Sequence, residues 1–355
     1  MKVLYIGQDL AKISSGADSV NKRNLDLLKD IFKSQLYVYS FANADNSLIE
    51  KVQGYLGGCK KLDIVNVIEL IKKFNFEYVF FSQSFYGKLC VGIKKKCPNV
   101  KVITFYHNIE KHYAREFLRV SGVKHFLFYI SVSYNELLIA NNSDYNIVLN
   151  ERDSLLLNEI YGVESNLNLP VSYKDCFDVR KVVTNSVNPS YLFVGTAFFA
   201  NIQAVDYFIE KVLPYIKGDF IVVGKGMEQF KNKWSIDPRV HIYGFVEDLS
   251  IFYYSASAVV APILSGGGMK TKVAEALMYG KVIVGTNEAF EGYEINDDFM
   301  YVAHNSDKFI NIINNLYLNK EKLNFNINSR NHFKRNYENE AIKFSFQSFF
   351  DSLDG

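Results

Sequence analysis

The chain has 355 residues, of which 48% are hydrophobic and 22% charged, and its formal net charge is +2. That length fits two domains of ordinary size, and so balanced a charge argues against a nucleic-acid binder held by a broad basic field. Basic residues cluster instead, at 94–96 and over 111–119, which suits a solvated helix face or an anionic membrane surface.

A strand is predicted over 2–6, ending at Gly7, and a polar loop with Ser14, Ser15 and Gly16 leads into a helix over 18–32. The loop lies at the carboxyl end of a first strand, where open α/β sheets bind ligands. Its three small residues either contact an acceptor or phosphate or simply form the turn. GxGxxG is absent, so this is not a dinucleotide fingerprint. Strands follow over 35–40, 78–82 and 100–105, with a helix over 64–74. The third of these strands delivers Tyr106, His107, Asn108 and Glu110. Helical sequence runs from there to about 140, and a strand over 145–150 closes the series. Tyr113 and Phe117 beside Lys111, Arg115 and Arg119 read as core aromatics with solvated charges, or as an acceptor or membrane face.

The longest apolar stretch, 126–140, is broken by Ser131, Ser133, Asn135 and Glu136. No run approaches the roughly 18 residues of a spanning helix, so any membrane contact is expected to be peripheral. The opening runs straight into strand sequence, which reads as lacking a signal peptide. Cys59, Cys90, Cys97 and Cys176 show neither a CxxC pair nor a histidine at zinc spacing. They read as reduced thiols of a cytoplasmic protein.

Composition changes near Ser165, and Pro170 marks a domain junction. A second α/β series begins with a strand over 191–194 ending at Gly195, a helix over 202–215, and a strand over 220–223 ending in Gly224, Lys225 and Gly226. A strand over 240–243 leads to Gly244, Phe245 and Val246, and then to a helix over 249–255. The expected divisions are 1–170, 171–335, and a terminal helix over 336–355 that crosses back to the first domain; its apolar residues are Ile342, Phe344, Phe346, Phe349 and Phe350.

The most informative stretch is 258–285, AVVAPILSGGGMKTKVAEALMYGKVIVG. Val259 to Ala261 form a buried strand, and Pro262 ends it because proline has no ladder donor. Gly266, Gly267 and Gly268 let the backbone turn and let a ligand approach. A helix expected from Met269 carries Val273, Ala274, Leu277 and Met278 on one face and is capped by Gly280. A glycine turn opening a helix presents N–H groups and the positive end of the dipole, which suits phosphate. Lys270 and Lys272 add full charges, and Glu275, one turn in, can reach a sugar hydroxyl. A packing turn with solvated lysines is the plainer alternative.

Phe193–Gly195, Val222–Gly226, Tyr243–Leu249 and the glycine-rich stretch, with Ala289–Gly292 beyond it, resemble GT-B glycosyltransferases of the retaining family 4 type. His107–Tyr113 and the Pro170 junction fit the pattern more loosely. The resemblance implies two Rossmann-like, doubly wound parallel-sheet domains facing a central cleft. The second would hold a nucleotide-sugar donor, UDP-linked, and the first a glycan, lipid-linked or protein acceptor. Phe245 and Val246 would meet the base, and Gly266–Met269 the diphosphate. Glu275 would take the ribose, and His107 the donor sugar. Two departures stand out. Gly267 replaces the first of a pair of family glutamates, and Thr196, Phe198 and Asn201 occupy the stretch of a missing Arg…Lys pair. Both recur in a branch of the family with the GGGMK type of loop.

The expected activity is transfer of a sugar to a hydroxyl with retention, in polysaccharide or glycoconjugate assembly, with no cofactor beyond the donor. No DxD-type metal motif is present, so Lys270, Lys272 and Lys225 are the available cations for the leaving diphosphate. The rivals are a non-catalytic subunit of the same fold that binds a glycan or partner, and a nucleotide-sugar epimerase.

Overall fold

The structure, a computed structural model, describes residues 1–11, 15–41, 46–122, 125–182, 188–319 and 323–353. It divides into two units, one of residues 1–170 with 343–355, the other of residues 171–342.

In the first unit the strands are β1 (Val3–Gln8), β2 (Leu36–Phe41), β3 (Tyr78–Phe81), β4 (Lys101–Phe105), β5 (Tyr145–Val148) and β6 (Leu167–Asn168). The helices between them are α1 (Gly16–Phe32), α2 (Leu48–Val52), α3 (Lys61–Phe74), α4 (Gly87–Lys96), α5 (Glu110–Ser121), α6 (Phe126–Ala140) and α7 (Glu151–Tyr161). All strands pair parallel in the order β2-β1-β3-β4-β5-β6. Central strands such as Tyr78–Phe81 are buried along their whole length, as apolar runs covered on both faces must be.

The helical sequence after His107 is two helices, not one. Gly122, at φ +83, turns the chain between α5 and α6, a conformation that costs glycine nothing. Helices α2, α4 and α7 were not anticipated.

The second unit repeats the plan with β7 (Ser190–Val194), α8 (Phe199–Lys211), β8 (Asp219–Val223), α9 (Lys231–Trp234), β9 (Val240–Tyr243), α10 (Ser250–Ser255) and β10 (Ala258–Ala261). It continues with α11 (Thr271–Met278), β11 (Ile283–Gly285), β12 (Met300–Val302), α12 (Ser306–Leu318) and α13 (Ile327–Asn336). Its sheet is parallel in the order β12-β11-β10-β7-β8-β9. Helix α8 starts and stops earlier than expected, because Pro214 belongs to a separate 3-10 turn over Leu213–Tyr215. Helix α11 starts at Thr271, since Lys270 is still extended. Gly280 ends it as expected, at φ +62, and Lys281 N–H reaches back to the Ala276 carbonyl at 2.9 Å.

The last helix, α14 (Asn339–Leu353), closes the first unit's core with its C-terminal part. Phe350 packs edge-on to Phe32 at 4.8 Å, Phe346 meets Phe80 at 6.2 Å, and Phe349 meets Tyr145 at 6.0 Å. Burying each ring is worth roughly 1.5–3 kcal/mol. Phe344, grouped with them by sequence, is exposed instead.

Candidate functional site

In each sheet the chain reverses its direction of winding at one place: between β1 and β3 in the first unit, and between β7 and β10 in the second. Loops leaving the carboxyl ends of two such strands diverge and leave a crevice. In the second unit those loops are the segment after Val194 and the glycine turn after Ala261.

The glycine turn is built as its composition suggests. Gly266 sits at φ +143 and Gly268 at φ +60, where a side chain is disfavoured. Lys270 precedes α11, and its side chain folds back over the turn. Its Nζ donates to the Gly268 carbonyl at 2.8 Å and the Gly267 carbonyl at 3.3 Å, and pairs with Glu288 Oε1 at 2.7 Å. Both members of the pair are largely buried. Tyr293 holds the backbone of Lys270 from behind, its hydroxyl donating to the carbonyl at 2.8 Å. Ser265 Oγ donates to Gln203 Oε1 at 3.0 Å, tying the turn to α8. Met269 is buried, so only its backbone faces the turn.

Lys272 takes a different place from the one its neighbourhood in sequence suggests. It is buried, donates to Asn201 Oδ1 at 2.7 Å and lies 4.0 Å from the centre of the Phe193 ring. Asn201 Nδ2 in turn donates to the Thr196 carbonyl at 2.8 Å. Lys272 therefore supports the loop after β7 from inside the unit. Burial, helped by the charge of Lys270, pushes its ammonium down to about 7.

The FVG and VVGKG glycines answer to close packing. A Cβ on Gly224 would lie 1.9 Å from the Gly195 carbonyl, and one on Gly195 would lie 2.5 Å from Asn201 Nδ2. The two strand ends can approach only as glycines. Lys225 is exposed, and its backbone carbonyl accepts from Ala197 N–H at 2.9 Å. After the edge strand β9, Phe245 is exposed and Val246 half-buried.

Glu275 is half-buried on α11 and accepts from the Tyr253 hydroxyl at 3.1 Å through Oε2. Tyr253 is fully buried and stacks on Tyr279 at 4.8 Å. Burial raises the Glu275 carboxyl to about 7, against the Tyr253 hydrogen bond and the Lys272 charge. Four of the anticipated residues thus share one end of the sheet: Gly266, Gly268, Lys270 and Glu275. Sequence reasoning missed Glu288 and Tyr253, which touch Lys270 and Glu275 directly.

In the first unit His107 leaves β4 and its Nε2 lies 2.9 Å from Asn21 Oδ1 on α1. Burial, and then the charge of Arg23, lowers its pKa to about 4, with Asp18 opposing, so the ring is neutral at pH 7. Ser14 lies outside the described residues. Ser15 is the N-cap of α1, accepting from Asp18 N–H at 3.1 Å, and Gly16 is the first helical residue. That arrangement matches the turn reading of Ser15. Tyr113 and Phe117 stack on each other, and Phe117 packs on Phe128 and His125, so these aromatics are not an open face.

Beyond His107, Glu136 is buried and accepts from the N–H groups of Glu110 and Lys111, from Ser84 Oγ and from the Tyr161 hydroxyl. It closes the N-terminus of α5 with a carboxylate. Glu110, buried beside it, is raised to about 8 by burial and then by the Glu136 charge, against a hydrogen bond from Asn108. Among the described residues there is no cluster of three or more His, Cys, Asp or Glu suited to a metal. Asn296 Oδ1 caps the Asp298 N–H, as in a loop turn.

Two six-stranded parallel sheets, each flanked by helices and each with one switch point, are the architecture of the GT-B class of glycosyltransferase folds. Residues 188–319, within the second unit, match the family described as glycosyl transferases group 1. No curated protein sequence matches the chain. Among solved structures, a sucrose-phosphate synthase from Thermosynechococcus elongatus is similar at TM-score 0.76 and 12% identity, over 99% of both chains. HepE of Anabaena in complex with UDP gives TM-score 0.70 and 14% identity, over 99% of this chain and 100% of that one. The apo lipopolysaccharide outer core galactosyltransferase WaaB gives 0.67 and 12%, over 99% and 100%. At these identities the likenesses establish the fold.

Proposed function

We propose that the chain is a retaining glycosyltransferase that moves a sugar from a UDP-linked donor to a hydroxyl acceptor, without a metal ion, in polysaccharide or glycoconjugate assembly. The observation that carries this reading is the glycine turn at the β7/β10 switch point, with Lys270 folded over it and Glu275 one turn into α11. The turn's backbone and Lys270 take the diphosphate, Glu275 the ribose, and Phe245 and Val246 the base. HepE, a similar structure, has been solved with UDP and with UDP-glucose, which supports a uridine donor.

In the transfer the bond from the anomeric carbon to the diphosphate oxygen breaks and a bond to the acceptor oxygen forms. The acceptor's proton leaves with the diphosphate. Lys270 stabilises the departing charge, while Lys272, buried against Asn201, supports the loop after β7. His107 is the first unit's proposed participant, acting as a neutral ring. The acceptor is a glycan, a lipid-linked sugar or a protein, and the proposed setting is the cytoplasm with peripheral contact at the inner face of a membrane.

The test is hydrolysis or transfer from labelled UDP-sugars by the purified chain, with the anomer of the product read by NMR. Turnover should persist in EDTA. Turnover lost on chelation and restored by Mg²⁺ or Mn²⁺ would remove Lys270 from the leaving-group role. UDP binding without turnover on any donor would favour the non-catalytic subunit, and donor interconversion without acceptor would favour the epimerase.

A further inference from the structure

Helix α6 carries apolar side chains on its exposed side as well as its buried one. Its buried side carries Asn135 and Glu136 beside Val132 and Ile139. Its outer side carries Leu127, Ile130, Tyr134 and Leu137, with Phe126 in the first turn, all between 43% and 60% exposed. The spacing of three, four and three residues places those four on one stripe, and the stripe holds no charged residue.

Helix α2 also exposes apolar side chains. Leu48, Ile49 and Val52 are 69–72% exposed. The two helices adjoin: Ser131 Oγ on α6 donates to the Lys51 carbonyl at 3.1 Å, and Asn135 Nδ2 donates to the Gly54 carbonyl at 3.0 Å. Eight large apolar side chains on adjoining helices exceed the scattered exposure normal for a soluble surface.

We infer that this face of α2 and α6 docks onto an anionic lipid bilayer surface. Charge complementarity selects that occupant. Arg115 and Arg119 are exposed on α5, the helix packed beside α6, and Lys51 is exposed on α2. Of the acidic residues on α2 and α5, Glu50 faces Lys60 at 3.8 Å and Glu116 is paired with Arg119 at 2.7 Å. Apolar side chains with aromatic members, bordered by basic ones, suit the headgroup boundary of an anionic leaflet. No helix among the described residues is long and apolar enough to cross a membrane, so α6 would lie in the plane of the surface. This locates the membrane contact of the preceding proposal. It needs neither donor nor acceptor, so its failure leaves the transferase reading standing, and the reverse also holds.

The experiment is co-sedimentation of the full chain with vesicles of phosphatidylcholine alone and of phosphatidylcholine mixed with phosphatidylglycerol. Binding should be found with the mixed vesicles and should weaken as salt rises. The triple variant Leu127→Ser, Ile130→Ser, Leu137→Ser should lose at least about tenfold in partitioning, and Arg115→Glu with Arg119→Glu a similar factor on mixed vesicles only. These side chains are exposed, so thermal melting should stay unchanged. Leu48→Ser with Ile49→Ser, on a different helix, repeats the test should the first variant melt early. Absence of vesicle binding, or binding untouched by all three variants, overturns the inference. A concentration-dependent dimer that the α6 variant dissolves, without vesicle binding, overturns it in favour of a second copy of this chain.

Discussion

Glu288 sets up the sharpest prediction, because its charge opposes the ligand that the turn is proposed to hold. Its Oε1 lies 2.7 Å from Lys270 Nζ, and a phosphate oxygen on the same ammonium would sit about 2.8 Å away on another side. The two anions are then at most about 5.5 Å apart. At an effective dielectric of about 20 that separation costs roughly 3 kcal/mol per pair of unit charges. Water at the partly open turn reduces the figure, and about 1–2 kcal/mol is a fair expectation. A counter-effect has to be weighed, since Glu288 also orients Lys270. The ammonium keeps the Gly267 and Gly268 carbonyls when the carboxylate is neutralised, so loss of repulsion should win.

Glu288→Gln is therefore expected to tighten UDP by about five- to thirtyfold in calorimetry, with uridine unchanged. Lys270→Ala should weaken UDP by roughly 1.5–3 kcal/mol. In the Lys270→Ala background Glu288→Gln should still tighten UDP, because the repulsion between the two anions does not run through the ammonium; a gain that vanishes there would mean that Glu288 acts only through Lys270. Weaker UDP binding by Glu288→Gln alone, or equal changes for UDP and uridine, would refute the reasoning and make Glu288 the residue that positions Lys270.

Glu275→Gln should cost roughly 1.5–3 kcal/mol in UDP binding and abolish discrimination against a 2′-deoxyribose donor; equal discrimination by both proteins would take Glu275 off the ribose. Tyr253→Phe removes the hydrogen bond that lowers the Glu275 pKa, so that carboxyl should titrate above about 7 and donor binding should fall off at a higher pH than in the wild type. A pH profile identical in both proteins would mean that Glu275 ionisation is not what binding requires. His107, with a folded pKa near 4 against an ordinary 6.5, takes up a proton more readily unfolded than folded, so its contribution to stability is full above 6.5 and is lost as pH falls towards 4. Between pH 7 and 5 the wild type should lose about 1–2 kcal/mol relative to His107→Gln in urea melts. A constant difference would place the ring in water.

The strands and the glycine turn were legible because local physics decides them. A strand covered on both faces must be an unbroken apolar run, as at Ala258–Ala261, and a turn through positive φ next to a helix asks for glycine. What stayed hidden is whatever a partner elsewhere decides. Lys270 and Lys272 look equivalent in sequence. One lies before the first turn of α11 and folds back on the loop; the other lies on the helix's inward side, where Asn201, from α8, and the face of Phe193 make its burial tolerable. Glu288 is eighteen positions from Lys270, with nothing local to mark it. The parallel register pairs Ala261 with Gly285, so the chain leaving β11 emerges beside the chain leaving β10 and brings Glu288 to the turn. Glu136 shows the reverse case. In sequence it merely interrupts an apolar stretch, yet the N-terminus of α5 needs an acceptor there, and α6 supplies it from its buried side, between Val132 and Ile139. The place of a carboxylate within that apolar side thus follows from a tertiary demand that no local pattern in α6 records.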